Sequence, residues 1–134
     1  MTHYIMVFFL IVFSMVNVFA SEDMSEGVYS SLEKDDDVGD YHGKRLIIIN
    51  SNKGYYGVYQ CGSGELSEPE VVQVSVSGDA VSFRISDAFR YFCYYGEFRG
   101  ELYDGGIRGS FSYDGEKHDV NLKRRSEVGW GSKK

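Results

Sequence analysis

Two cysteines, two histidines beyond the N-terminal stretch and a run of aspartates are the residues with candidate chemistry. In an oxidising compartment the two cysteines allow one intramolecular pairing, Cys61 with Cys93. Such a bridge closes a loop of about 30 residues and stabilises a small fold by roughly 3 to 4 kcal/mol in the chain-entropy picture. A hydrolase needs a nucleophile, a base and a group to orient the base. The chain offers His42 and His118 for the base and has no Gly-x-Ser-x-Gly elbow. His118 is expected at a strand start near a barrel mouth, where a polar rim residue is ordinary, and His42 precedes Gly43 in a turn.

The carboxylates read the same way. Glu97 and Glu101 share the outward face of one strand with Arg99 between them, which is a solvated ladder more simply than a glycosidase pair. Asp35, Asp36, Asp37 and Asp40 cluster near Gly39 as a hard cation would want, but without the alternation and closing Glu of an EF-hand. They read as a solvated charge run. Two histidines and two bridged cysteines make no four-ligand metal site, and Gly62-Ser63-Gly64 is not a phosphate or dinucleotide loop. The chain is therefore expected to bind rather than catalyse, with no cofactor and no metal.

The elements that must position these residues begin after an export signal. Met1 to Ala20 is an apolar run with no charged side chain apart from His3, and it ends in Val18-Phe19-Ala20 before an acidic segment. This is the pattern of a signal peptide cleaved after Ala20. It is short for a membrane span and lacks a basic flank, so no stable anchor is expected after cleavage and the mature protein is periplasmic or secreted. The formal charge of −6 is uneven: residues 21–40 hold eight acids and one base, whereas residues 41–134 hold twelve acids and thirteen bases. Residues 21–40 are expected to be an acidic flexible arm, with a helical turn near Ser30 to Lys34. The basic C-terminal end sits on an acidic chain with no nucleic-acid module, so nucleic acid is set aside.

Residues 41–134 form one domain of short β-rich runs separated by turn clusters, which predicts an all-β antiparallel meander, a small barrel or strongly coiled sheet of seven or eight strands. Gly78-Asp79 predicts a hairpin that pairs Val76 with Val81, Val74 with Phe83 and Val72 with Ile85. Gly105-Gly106 predicts a second, from Phe92 to Tyr113, that pairs Leu102 with Gly109, Gly100 with Phe111 and Phe98 with Tyr113. Asp114-Gly115 predicts a third, with Phe111 facing His118 and Gly109 facing Val120. Arg45 to Asn50 and Tyr55 to Cys61 complete seven strands. An eighth is expected from the Tyr91 region or from Val128 to Trp130, and Gly62-Ser63-Gly64 is expected to be a turn.

The segment Tyr59-Gln60-Cys61 is similar to the early Tyr-x-Cys of exported bacterial lysozyme-inhibitor barrels, which this chain also resembles in size, signal peptide and single disulfide. Their later Ser-Gly-x-x-Tyr pattern is absent. The resemblance implies an inhibitor acting on another protein as the class of answer.

Strand alternation sends Tyr91, Cys93, Tyr95 and Tyr103 to one face with Arg99 among them, and places Tyr55, Tyr59 and Cys61 together on another strand. A bridge joining those faces gathers the tyrosines into a partner surface, because tyrosine buries much area at low entropic cost. The expected partner is another protein in the envelope or outside the cell. A lipocalin-like carrier of a small apolar ligand is the first alternative and a hydrolase the second. Crowded inward aromatics weigh against the carrier.

Overall fold

Runs such as Val71–Ile85, with every second residue apolar, make strands with one dry and one wet face. The computed structural model describes residues 25–89 and 93–126. Nine strands follow in chain order: β1 (Gly27–Ser30), β2 (Glu33–Lys34), β3 (Tyr41–Ser51), β4 (Gly54–Leu66), β5 (Glu70–Ser77), β6 (Ala80–Ile85), β7 (Gly96–Tyr103), β8 (Gly106–Tyr113) and β9 (Glu116–Arg125). One 3-10 turn, Asp87–Phe89, lies between β6 and β7. Strands β3 to β9 form a meander of antiparallel neighbours, and β1 pairs with both β9 and β3. Eight strands thus close into an antiparallel barrel, and β2 is a short addition paired with Tyr41 and His42 of β3.

The closing strand comes from residues whose acidic composition reads as a flexible arm. Gly27–Ser30 inserts between β3 and β9 instead, because Tyr29 supplies a side chain the core needs: it is 1% exposed, and its hydroxyl donates to the Ser25 carbonyl at 3.1 Å. The helical turn expected at Ser30 to Lys34 is absent, and Glu33 and Lys34 are extended against β3. The aspartate run forms a tight turn in which an Asp35 carboxylate oxygen accepts from the Asp37 amide at 2.9 Å. The expected signal, residues 1–20, and both candidates for an eighth strand, Tyr91 and Val128 to Trp130, lie outside the described residues.

The third hairpin has the expected register, Phe111 opposite His118 and Gly109 opposite Val120. The first has Val76 opposite Val81, and its ladder ends at Ser75 and Ser82. The expected pairs Val74–Phe83 and Val72–Ile85 lie beyond that last rung, with all four side chains buried.

The second hairpin differs from expectation by two residues. Its turn is Asp104-Gly105, so Leu102 faces Ile107, Gly100 faces Gly109 and Phe98 faces Phe111. A two-residue shift keeps every side chain on its face, which is why the apolar pattern does not distinguish the registers. Gly106 decides between them. It stands in β8 with φ 155°, where a Cβ would come within 2.0 Å of the Leu122 carbonyl oxygen of β9. It is therefore required in the strand rather than in the turn. Two further boundaries move: Gly62-Ser63-Gly64 is strand, paired with Tyr41–Gly43, and β7 begins at Gly96 rather than Phe92.

The interior is packed ring on ring. Phe83 stacks on Phe98 with centroids 4.8 Å apart, Phe98 lies 5.2 Å from Phe111, and Tyr59 lies 5.9 Å from Phe111. Leu46, Ile48, Ile107 and Leu122 complete the core, each at most 1% exposed. Burial on this scale, at about 1.5–3 kcal/mol per large apolar side chain, dominates the stability of a small barrel.

Candidate functional site

Residues 86–89 and 93–95, which follow β6 and precede β7, lie at one end of the barrel, and the disulfide ties the second of these stretches to the wall. Cys61 points inward from β4 at 2% exposure and is bonded to Cys93, with Cα atoms 6.1 Å apart, inside the range a disulfide spans. Glu70 at the start of β5 holds the beginning of the first stretch, accepting from the Ser86 amide at 3.0 Å and the Ser86 hydroxyl at 3.2 Å. The Tyr59 hydroxyl points to the Tyr94 carbonyl at 3.4 Å. Burial pushes the Tyr59 phenol pKa up, and Tyr94, Glu70 and Tyr113 add to the shift. Tyr59 remains a neutral donor at any physiological pH.

A cluster of aromatic side chains forms at this bridge end. Tyr95 stacks on Tyr113 at 4.4 Å, Tyr113 stacks on His118 at 4.4 Å and 11°, and Tyr94 lies 4.9 Å from His118. The β8–β9 register sets His118 opposite Phe111, so Tyr113, two residues on, is its diagonal neighbour on the same face, within reach of ring contact. The Tyr95 hydroxyl donates to an Asp114 carboxylate oxygen at 2.7 Å, tying residues 93–95 to the β8–β9 turn. The Lys44 ammonium of β3 sits 3.8 Å above the Tyr94 ring, and burial lowers its pKa. The Tyr113 phenol is raised by its partial desolvation first and then by Tyr94, Glu116 and Asp114.

His118 Nε2 is buried with no hydrogen-bond partner among the described residues, and a Glu116 carboxylate oxygen lies 3.6 Å from it. What the cluster offers is aromatic faces, one ammonium and one imidazole, a set suited to recognition by stacking and hydrogen bonding. Among the described residues no group of three His, Cys, Asp or Glu side chains is placed to hold a metal. No helix there is long and apolar enough to cross a membrane.

The tyrosines expected to share a partner surface are distributed over the molecule. Tyr59 is 0% exposed and belongs to the core. Its strand is longer than the expected run, and its inward face is the one that carries Cys61. Tyr55, four residues earlier on that face, packs half-buried against the core at the far end of the barrel. Tyr103, also toward the far end, points outward and donates to Asn121 Oδ1 at 2.8 Å, with Arg108 5.5 Å from its ring. Arg99 is exposed on the outer wall and paired with Glu97 at 2.9 Å. Tyr91 lies outside the described residues, which leaves Tyr95 as the expected residue in the bridge-end cluster. Its companions Tyr113 and His118 were within reach of the sequence, since the Asp114-Gly115 turn brings their strands together. Lys44 carries no local signal.

A second feature lies on the outer wall. The register aligns Val28, Ile47, Val58 and Val71 in one row across β1, β3, β4 and β5. Ile49 and Tyr56 stand opposite each other in the next outward row. All are on the faces that alternate with the buried Leu46, Ile48 and Tyr59, and Val71 and Ile49 are 70% and 45% exposed.

No family model matches the chain, and neither a curated protein nor a solved structure matches it.

Proposed function

We propose that this chain is an exported, non-enzymatic binding protein of inhibitor or immunity type, acting by contact with another protein through the bridge end of the barrel. One observation carries the reading. The stack of Tyr95, Tyr113 and His118 is half-buried and held rigid by the disulfide and by the Tyr95–Asp114 hydrogen bond. Rigid, partly exposed tyrosines are what protein interfaces favour, because little rotamer freedom remains to be lost on contact. The bridge fits an oxidising compartment, in keeping with export by residues 1–20. The rings that fill the barrel axis favour an outside contact over a ligand in the lumen.

Intact-mass measurement on exported protein tests the compartment: the mature chain begins near Ser21 and contains no free thiol. Cross-linking in the native envelope, followed by mass spectrometry, tests the contact. A protein partner is retained by the native chain and lost on Tyr95→Ala or Tyr113→Ala with the fold intact. Turnover of a substrate that disappears on His118→Ala overturns the reading.

A further inference from the structure

The outer row Val28, Ile47, Val58 and Val71 runs across neighbouring strands on the wet side of the wall, where a barrel normally places polar side chains. Its border on the β9 side is basic, and the nearest carboxylate along β1 is the exposed Glu26, just beyond the Gly27–Ile48 rung. Arg125 stands opposite Val28 at the end of the row, and Lys123, Ser30, Arg45 and Gln60 form the adjoining row. Lys123 and Arg125 are exposed, and Arg45 hydrogen-bonds Gln60. No position of these rows, nor of the Ile49, Tyr56 and Gln73 row on the other side, carries a carboxylate. A basic border beside an apolar strip is notable on a chain of net charge −6.

We infer that this strip is a second docking surface, separate from the bridge end, for a protein segment in which apolar residues stand beside Asp or Glu. Charge complementarity selects that partner. A second copy docked through the same strip would bring Lys123, Arg125 and Arg45 against a single carboxylate, Glu26 at the strip's end, and so leave most of the cations unmatched. Area argues the same way. At strand spacings of ~4.8 Å the row is about 15 Å long and, with its neighbour, about 7–14 Å wide. That is far below the ~800 Å² each partner contributes to a stable interface, so the strip suits a short segment whose carboxylates add to its apolar contacts.

The test is selection of displayed short random peptides against the exported chain. Parallel selections use Val71→Asp, which alters an exposed side chain, and the double variant Lys123→Glu, Arg125→Glu. Peptides from the native chain are expected to combine Asp or Glu with Val, Ile, Leu or Phe. They should bind either variant about ten-fold more weakly and lose affinity as salt is raised. Circular dichroism checks that the variants are folded. Selected peptides without carboxylate enrichment, or with equal affinity for Val71→Asp, overturn the inference. So does a dimer in sedimentation that Val71→Asp dissolves, or flotation with phosphatidylserine vesicles that it abolishes. A change in Trp130 emission on Val71→Asp would assign the strip to the chain's own residues 127–134 and overturn it equally. None of these outcomes touches Tyr95 or Tyr113, so the bridge-end contact stands or falls on its own experiment.

Discussion

Gly100 stands directly opposite Gly109, and the Phe98 ring occupies the space that both lack: a Cβ on either glycine would lie 2.7 Å from Phe98 Cζ. The pair also lets the wall bend sharply, since a Cβ at Gly109 would come within 2.4 Å of the Arg99 carbonyl oxygen.

Gly109→Ala is therefore expected to destabilise the barrel by about 2 kcal/mol, because backbone rather than a movable side chain is in the way. A lower urea midpoint with an unchanged slope is the expected result. An unchanged midpoint would mean that the wall is not tightly bent there.

Tyr29→Ala removes the one large side chain by which β1 enters the core and is expected to cost about 3–4 kcal/mol. Amide exchange should show β3 and β9 losing protection together, since β1 lies between them. Protection retained on both would show that β1 is dispensable for closure.

The contrast between these two predictions shows where the sequence is readable. Alternation over β5, β6, β8 and β9 is long enough to set faces, and a tight turn sets register, so the buried valines, Phe83, Phe111 and Leu122 follow directly. Strand β1 is four residues long inside a segment rich in carboxylates, so composition outweighs the single Tyr29. The β7–β8 offset turns on which of two adjacent glycines lies beneath a carbonyl of a third strand, and no local pattern contains that. The burial of Tyr59 escapes the sequence for a related reason. Alternation ranks Tyr55 and Tyr59 together, but which face of β4 is dry depends on closure with β3, and closure buries Tyr59.

Cys93→Ser opens a loop spanning 32 residues and is expected to lower stability by about 3–4 kcal/mol. The Tyr95–Asp114 hydrogen bond should weaken with it, because the anchor of residues 93–95 is gone. Loss of ring-current shifts on Tyr113 and His118 in the variant would report that movement. Identical shifts in both proteins would show that the stack holds without the bridge.

Stability should fall at alkaline pH. The Tyr59 phenol is raised in the folded state above its ordinary value of 10.0, so the unfolded chain releases that proton first. The associated stability is complete below pH 10.0 and is lost as pH rises from there toward the folded value. Lys44 works in the opposite sense. Its folded pKa lies below the ordinary 10.5, so stability rises with pH between the folded value and 10.5 as the unfolded chain retains the extra proton. Tyr59→Phe is expected to flatten the alkaline decline in urea midpoint, and Lys44→Met to steepen it. An alkaline decline of the same slope in Tyr59→Phe would remove Tyr59 as its source.

Barrel closure joins the two ends of the described chain: β1 pairs with β9, and Arg124 donates to the Glu26 carbonyl, 98 residues earlier. A chain that emerges from its N-terminus during synthesis delivers β1 first and its partner β9 last. During that interval β1 has only β3 as a neighbour in the barrel wall, and Tyr29 has half its pocket. Folding governed by such distant contacts takes roughly milliseconds to seconds, and an unpaired strand edge is open to exchange between copies throughout. Assembly of this barrel is thus timed by the arrival of its last strand, and a strand-swapped pair is the outcome that competes with closure until then.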